Sequence, residues 1–359
     1  MKTIYFTFIA LFFFQTSIFG QTESKPSITW SGYLETYYGY DFNQPANHER
    51  PSFMYNHNRH NEFNLNLGFI KGTYTSANTR ANLALMAGTY AQYNLASEPS
   101  LMQHVFEANV GMKLSNKQNL WLDAGIMPSH IGFESAISKD CWTLTRSILA
   151  ENSPYYESGA KITYINADNR WTISGLVLNG WQRIKRPDGN QTLALGTQVQ
   201  FKPNEKTTLN WSTFIGNDKP SSQKQERYFS NLYGIFQLSS TLGLITGFDY
   251  GLEQKAVASS EYNTWYSPVA ILKYTANTKW SGAVRWEYYQ DKNGVIIASN
   301  TPNGFQTKGY SLNIDYKVSD NLLWRVEGKL LESKDAIFSK EGKTVNNNFS
   351  LNTSMAVQL

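Results

Sequence analysis

Ser129 and His130 adjoin each other, with acidic residues nearby in the chain, and are the nearest approach to a nucleophile beside a base. Adjacent side chains on an extended backbone point apart, so the two make a poor nucleophile–base pair without help from elsewhere. They follow Pro128 and read as a polar turn. Neither G-x-S-x-G nor H-E-x-x-H occurs. His48, His57 and His60 form a second cluster, with Glu49 and Glu62 close by. Imidazole is a common metal ligand. The spacing is loose, however, and matches no closed zinc pattern, so the segment reads as a solvated polar loop. Cys141 is the single cysteine, which excludes an intramolecular disulfide and speaks against a cysteine-based metal site. The glycines are scattered singly through alternating segments and form no phosphate cradle. The expectation is no enzyme, no metal and no cofactor.

One stretch is chemically dense. IGFESAISKDCWTLTRS, residues 131–147, carries Glu134, Asp140, Lys139 and Arg146 beside Cys141. Within it Ile137, Cys141, Leu144 and Ile148 recur at helical spacing, while Lys139, Asp140, Thr143 and Arg146 lie mainly off that stripe. This predicts a short amphipathic helix with its apolar side packed and its charged side in water. Cys141, on the stripe, reads as a small packed residue.

The elements around this stretch follow period two. In ITWSGYLETYYGYDF (28–42), Ile28, Trp30, Leu34 and Tyr38 share one face, and Tyr33, Glu35, Tyr37 and Asp41 the other. In FNLNLGF, Phe63, Leu65, Leu67 and Phe69 oppose Asn64 and Asn66. In WSGAVRWEYY, Trp280, Val284, Trp286 and Tyr288 oppose Arg285 and Glu287. In LLWRVEGKLL, Leu322, Trp324, Val326 and Leu330 oppose Arg325, Glu327 and Lys329. About sixteen such segments can be drawn: 28–42, 61–75, 78–92, 102–115, 119–128, 155–166, 170–182, 192–202, 206–216, 227–239, 241–254, 262–275, 278–291, 305–318, 321–333 and 346–359. Fourteen or eighteen stay open, because short segments split and merge easily. Many reach the ~9–11 residues that a tilted strand needs to cross a bilayer.

The connections alternate in length. Short ones such as SAN (76–78), NADN (166–169), SST (239–241) and SDN (319–321) are interleaved with long polar ones such as 43–60 and 217–226. That rhythm suits a transmembrane, antiparallel up-and-down β-barrel, with short periplasmic turns and long external loops. A soluble β-sandwich or propeller fits it poorly. Trp30, Trp171, Trp211, Trp280 and Trp324 all fall near the start of odd-numbered strands, at one membrane interface. Trp121 shares parity with Asp123 and is expected to point inward. A spanning sheet must close on itself, because every backbone polar group in hydrocarbon has to pair internally. A charge facing lipid at the midplane costs roughly 2–4 kcal/mol. The lumen lining is therefore expected to include Glu35, Asp123, Glu157, Lys161, Arg285, Glu287, Arg325 and Glu327. A barrel this wide leaves an aqueous channel.

The first residues, MKTIYFTFIALFFFQTSIFG, read as a secretory signal peptide over 1–20, with the barrel on 21–359. The apolar run is roughly half the ~20 residues of a spanning helix. A formal net charge of +4 is too small to argue for nucleic acid. Residues 129–152 form the third external connection. Folded into the lumen, they would form a pore constriction, with Glu134 and Asp140 as an acidic wall and Lys139 and Arg146 as a basic one. Opposed charges there would screen solutes by size and sign. Standing outside, the loop would carry only solvated charges.

The run WLDAGIMPSHIGFESAISKDCWTLTRSILAENSPYYESGAKITY, followed by WTISGLVLNGWQR, resembles the outer-membrane β-barrel porins of the OmpL-like type common in Bacteroidota. SGYLETYYGYDF and the final strands fit as well, so the resemblance covers essentially the whole chain. It implies a bacterial outer-membrane barrel with a passive porin role, no catalytic residues and no defined substrate. Many outer-membrane barrels end in an aromatic residue, and this chain ends in Leu359, which weakens an argument from a C-terminal assembly signal. The expected function is passive diffusion of small hydrophilic solutes or ions. The alternative is a closed barrel that binds a surface partner through its external loops. Expected partners are the bilayer, the secretion and barrel-insertion machinery, and small solutes. The outward surface reads the same whether it meets lipid or a second copy, so a homo-oligomer stays open.

Overall fold

The computed structural model describes residues 25–359. The signal peptide expected over 1–20 lies outside the described residues. Sixteen strands close into an antiparallel barrel in which each pairs with its neighbours in sequence, and the last strand, β18 (Asn347–Gln358), pairs with β1 (Ser27–Asp41). The others are β2 (Glu62–Thr75), β3 (Thr79–Ala87), β4 (Val105–Lys113), β5 (Asn119–Pro128), β6 (Tyr156–Ile165), β7 (Trp171–Leu178), β8 (Ala194–Asn204), β9 (Thr207–Gly216), β10 (Arg227–Gln237), β11 (Leu242–Gln254), β12 (Tyr262–Thr275), β13 (Trp280–Asp291), β14 (Phe305–Lys317) and β15 (Leu322–Ser333). β16 (Phe338–Lys340) and β17 (Lys343–Val345) form a separate two-stranded hairpin within the last long loop.

The alternation sorts the faces as expected. Trp30, Trp171, Trp211, Trp280 and Trp324 all point outward, Trp30 with 74% of its surface exposed. Arg285, Glu287, Arg325, Glu327 and Lys329 point inward and are buried. Trp121 also points inward: the Arg80 guanidinium sits 4.3 Å from its ring centre.

Two β-bulges break the alternation. Glu35 pairs with Leu67 but Thr36 pairs with Leu65, which leaves Asn66 as an extra residue on β2. Phe63 and Leu65 face out, but beyond the bulge Leu67 and Phe69 turn inward. Sharing a face along FNLNLGF therefore fails after Asn66, because one inserted residue reverses every side chain that follows. The second bulge lies between β3 and β4. Ala84 pairs with Glu107 and Leu85 with Val105, so Phe106 is the extra residue.

The strand expected over 78–92 stops at Ala87, and Thr89–Asn94 form the helix α1. Gly88 breaks the strand with φ +124°, and a Cβ there would lie 2.5 Å from the Asn66 carbonyl oxygen. The bulge on β2 and the end of β3 are thus one local event.

The long loops fold inward at their end of the barrel. Phe214, Phe229, Trp265, Tyr289, Phe305 and Leu331 project inward near the loop ends of their strands. Phe53 and Met54 of loop 42–61, Ile131 and Ile148 of loop 129–155, and Phe338 of the hairpin pack onto them. At about 1.5–3 kcal/mol per large apolar side chain, this layer is a strong adhesive between loops and wall. The loop expected to be solvated, 43–60, is drawn into it.

Candidate functional site

The site is the lumen, and its organiser is the connection between β5 and β6. At the root of that loop, His130 Nδ1 lies 2.7 Å from Glu157 Oε1 and Nε2 lies 2.9 Å from the Thr213 carbonyl oxygen. Both partners only accept, so the ring donates from both nitrogens and carries a charge. Burial works against that charge, and the adjacent Glu157 carboxylate outweighs it, raising the His130 pKa above the ordinary 6.5. Ser129 Oγ donates to the same carboxylate at 3.2 Å. Serine and histidine thus share an anchor.

From this root the loop runs down the lumen, and the wall charges hold its backbone. Arg285 donates to the Thr143 hydroxyl (2.6 Å), the Thr145 carbonyl (2.7 Å) and the Thr145 hydroxyl (3.0 Å). Arg325 donates to the carbonyls of Ser138 (2.5 Å) and Cys141 (3.0 Å), and Lys329 to that of Arg146 (3.0 Å). In the other direction, Asn313 accepts from Leu144 N (3.0 Å), Glu327 from Thr145 N (2.5 Å) and Glu287 from Ile148 N (2.5 Å). These side chains come from β13, β14 and β15.

The loop does contain a short helix, but a smaller one than the stripe over 137–148 predicts. Only a 3-10 turn (Ser138–Asp140) and the single turn α2 (Ile148–Glu151) are helical. Between them the backbone groups that would have made i→i−4 bonds go to the barrel wall. Most of the predicted stripe is buried nonetheless: Leu144 and Ile148 are fully enclosed, burial pushes the Cys141 thiol pKa up, and Ile137 is partly buried.

The four expected constriction residues divide into two pairs. Glu134 and Arg146 are buried inside the loop's own fold. Glu134 accepts from the Ser147 backbone and hydroxyl, and Arg146 donates to the carbonyls of Ser135 (2.6 Å), Ala136 (3.0 Å) and Leu144 (2.7 Å). They are not opposed walls, because each is consumed in satisfying loop groups that water cannot reach. Lys139 and Asp140 stay at the loop tip. Lys139 Nζ lies 3.4 Å and 3.3 Å from the carbonyl oxygens of Asp320 and Asn321, in the short turn between β14 and β15. The loop has therefore traversed the lumen from the long-loop end to the short-turn end.

Loop 42–61 braces it. Glu151 accepts from Tyr55 N (2.9 Å), Asn56 N (3.2 Å) and the Asn56 amide (3.0 Å), and its burial pushes its pKa up. Glu35 on β1 joins both loops. It accepts from Ser138 Oγ (2.5 Å), lies 3.1 Å from His57 Nε2 and accepts from Asn66 (3.0 Å). The three loop histidines therefore part: His57 goes to Glu35, while His60 Nδ1 accepts from Asp41 N (2.9 Å) and its ring stacks on His48.

Across the lumen from β13–β15, the wall carries charges that the loop does not use. Lys71 pairs with Glu107 at 2.5 Å, and Arg80 with Asp123 through two bonds of 2.7 and 2.6 Å. Lys161 stands directly opposite Asp123 in the β5–β6 register. Arg80 and Lys71 keep about a third (35%) and a quarter (25%) of their side-chain surface exposed. Beside the loop lies a cavity of about 510 Å³, lined among others by Phe69, Lys71, Glu107, Phe133, Asp140 and Tyr233.

The eight expected lining residues, Glu35, Asp123, Glu157, Lys161, Arg285, Glu287, Arg325 and Glu327, all lie on the inward face. Lys161 and Asp123 belong to the open wall, and the other six hold loops. Sequence reasoning missed Lys71, Arg80 and Glu107. Arg80 could have been found by carrying strand parity through the short turn 76–78. Lys71 could not, because the bulge at Asn66 changes its face.

The fold is that of known porins. An anion-selective porin from Comamonas acidovorans is 9% identical, with a TM-score of 0.61 over 93% of this chain and 100% of its own. The trimer form of OmpT, an outer membrane protein of Vibrio cholerae, is also 9% identical, with a TM-score of 0.60 over 94% and 100%. The outer membrane channel DcaP of Acinetobacter baumannii gives 9%, 0.57, 93% and 98%. No curated protein sequence matches the chain. The family model described as "putative beta-barrel porin-2, OmpL-like" matches residues 27–359, so the chain belongs to that family and is a passive channel protein of the bacterial outer membrane.

Proposed function

We propose that small hydrophilic solutes and ions cross between loop 129–155 and the wall formed by β2–β10, and that this loop sets the width of the path. The observation that carries the reading is the reach of the loop, whose Lys139 meets the carbonyls of Asp320 and Asn321 at the far mouth. One side of the lumen is filled by the loop. The other keeps Lys71, Arg80 and Lys161 within reach of water, over the buried carboxylates of Glu107 and Asp123. Asp140 and Lys139, at the tip, are the loop charges that meet the solute. Glu134 and Arg146 act by keeping the loop in shape. Solutes are screened by width and by these fixed charges.

No catalytic role is assigned. Ser129 Oγ and His130 Nδ1 both bond to Glu157, so the imidazole is not free to take a proton from the serine. During biogenesis the chain meets the secretion and barrel-insertion machinery. Self-association is supported by the trimer form of the Vibrio cholerae structure alone. The test is conductance. A variant with 131–152 replaced by a short Gly/Ser linker, refolded and inserted in a planar bilayer, is expected to give larger single-channel steps than the parent. Equal steps from a correctly folded variant would remove the constriction role.

A further inference from the structure

An aromatic pair faces the cavity beside the loop. Phe69 and Phe106 stack with centroids 4.7 Å apart and planes 11° from parallel, and both are only partly buried. Each is brought there by a bulge: Phe69 by the extra residue Asn66 on β2, Phe106 as the extra residue on β4. Bulges of this kind re-aim side chains near functional sites. In regular pairing Phe69 would have pointed to lipid, where an apolar ring is at home. β2 and β4, on either side of β3, thus each interrupt a ladder to hold a ring against water.

The far side of the cavity also carries rings. Phe133 of the loop meets Tyr233 edge to face at 5.8 Å, on β10, which stands diametrically across the sixteen-strand ring from β2. Next to the stacked pair, Lys71 Nζ and Glu107 Oε2 lie 2.5 Å apart. They offer a donor and an acceptor with no net charge between them. A charged solute would have to break this pair, whereas a neutral polyol can share it. The volume of about 510 Å³ falls within the ~300–1,000 Å³ of small-molecule sites.

We propose that this cavity is a binding site for neutral sugars of one or two rings, a station within the diffusion path. A pyranose has an apolar face of C–H bonds that fits the negative face of an aromatic ring, and rim hydroxyls that can accept from Lys71 and donate to Glu107. The proposal rests on the reading that solutes pass along this side of the loop, and the two can fail separately.

The test uses the folded barrel in detergent and in a planar bilayer, with maltose as probe. Equilibrium dialysis is expected to show saturable binding, and maltose added on the short-turn side is expected to lower the ion current saturably. Phe106→Leu keeps an apolar side chain but loses the ring face, and should weaken both effects about tenfold (~1.4 kcal/mol). Phe106→Tyr should retain them. Steady current without saturable dialysis or blockage would overturn the sugar site and leave the channel. Saturable binding that is lost in Phe106→Leu, in a barrel that passes no current, would keep the site and overturn the diffusion path. Binding indifferent to Phe106→Leu would overturn the assignment to these rings.

Discussion

Arg285→Met is the sharpest probe of how the loop is held. Arg285 makes three hydrogen bonds to Thr143 and Thr145 and one of 3.0 Å to Glu327, and lies 3.5 Å from Glu287 and 3.7 Å from Glu134. Methionine fills much of its stem volume but donates nothing. Three buried carboxylates then lose a shared counter-charge, and the cations that remain are Lys329, 2.9 Å from Glu287, and Arg146, near Glu134. Breaking a buried pair by removing one partner costs about 3–5 kcal/mol. The β13 ladder does not depend on this side chain, so the cost falls on docking of the loop. At ~1.4 kcal/mol per tenfold, the undocked population should rise on the order of 10²–10³-fold. Two readouts follow. Single-channel records should show frequent transitions to larger steps, and trypsin should cut after Arg146, which is fully buried when docked. A folded Arg285→Met barrel with parental conductance and an uncut loop would refute the claim that wall charges hold it.

Three further outcomes are expected. The His130 pKa is raised in the folded state, so its tether to Glu157 is complete below pH 6.5 and weakens as pH rises through the higher folded value. Current noise should grow on alkalinisation in the parent and lose that pH dependence in His130→Gln. Asp140 and Lys71 line the same cavity with opposite signs, so in a salt gradient Asp140→Asn should shift the reversal potential toward anion preference and Lys71→Met toward cation preference. If neither moves it, the ions pass elsewhere. Gly88→Val forces a side chain onto φ +124° and into the Asn66 carbonyl, and should cost about 1–3 kcal/mol or more. The check is the temperature at which the folded band is lost on a gel, which should fall relative to Gly88→Ala and further relative to the parent.

The barrel was legible because its signal is local and repeated. Trp280, Val284 and Trp286 against Arg285 and Glu287 reveal a two-faced strand without any knowledge of its neighbours, and the short turns give the direction. Bulges are different. Nothing in FNLNLGF marks Asn66 as extra, since the insertion is defined only by its partner β1. The site was half legible. That Arg285, Glu327 and Arg325 face inward follows from the cost of exposing them to lipid. That they bond to a loop does not, because their partners lie 140 to 187 residues away in sequence. The same distance explains why the helix is shorter than its stripe. Cys141, Leu144 and Ile148 do share burial, with Ile137 partly covered, but the groups that decide the backbone conformation between them sit on three other strands.

The path of the loop also constrains how the protein can be made. Glu35, on the first strand, and Arg325 and Lys329, on the fifteenth, all grip the segment 138–146. Until β15 has joined the sheet, that segment lacks its late partners, and its burden of open carbonyls and amides must stay hydrated. Docking is therefore a late event with high contact order, completed as the first and last strands zip together. Because one segment binds both sides of the β1–β18 seam, it acts as a stitch across the closure. A barrel whose seam opens must also release the stitch, so lateral opening in the membrane and clearing of the lumen become a single cooperative step.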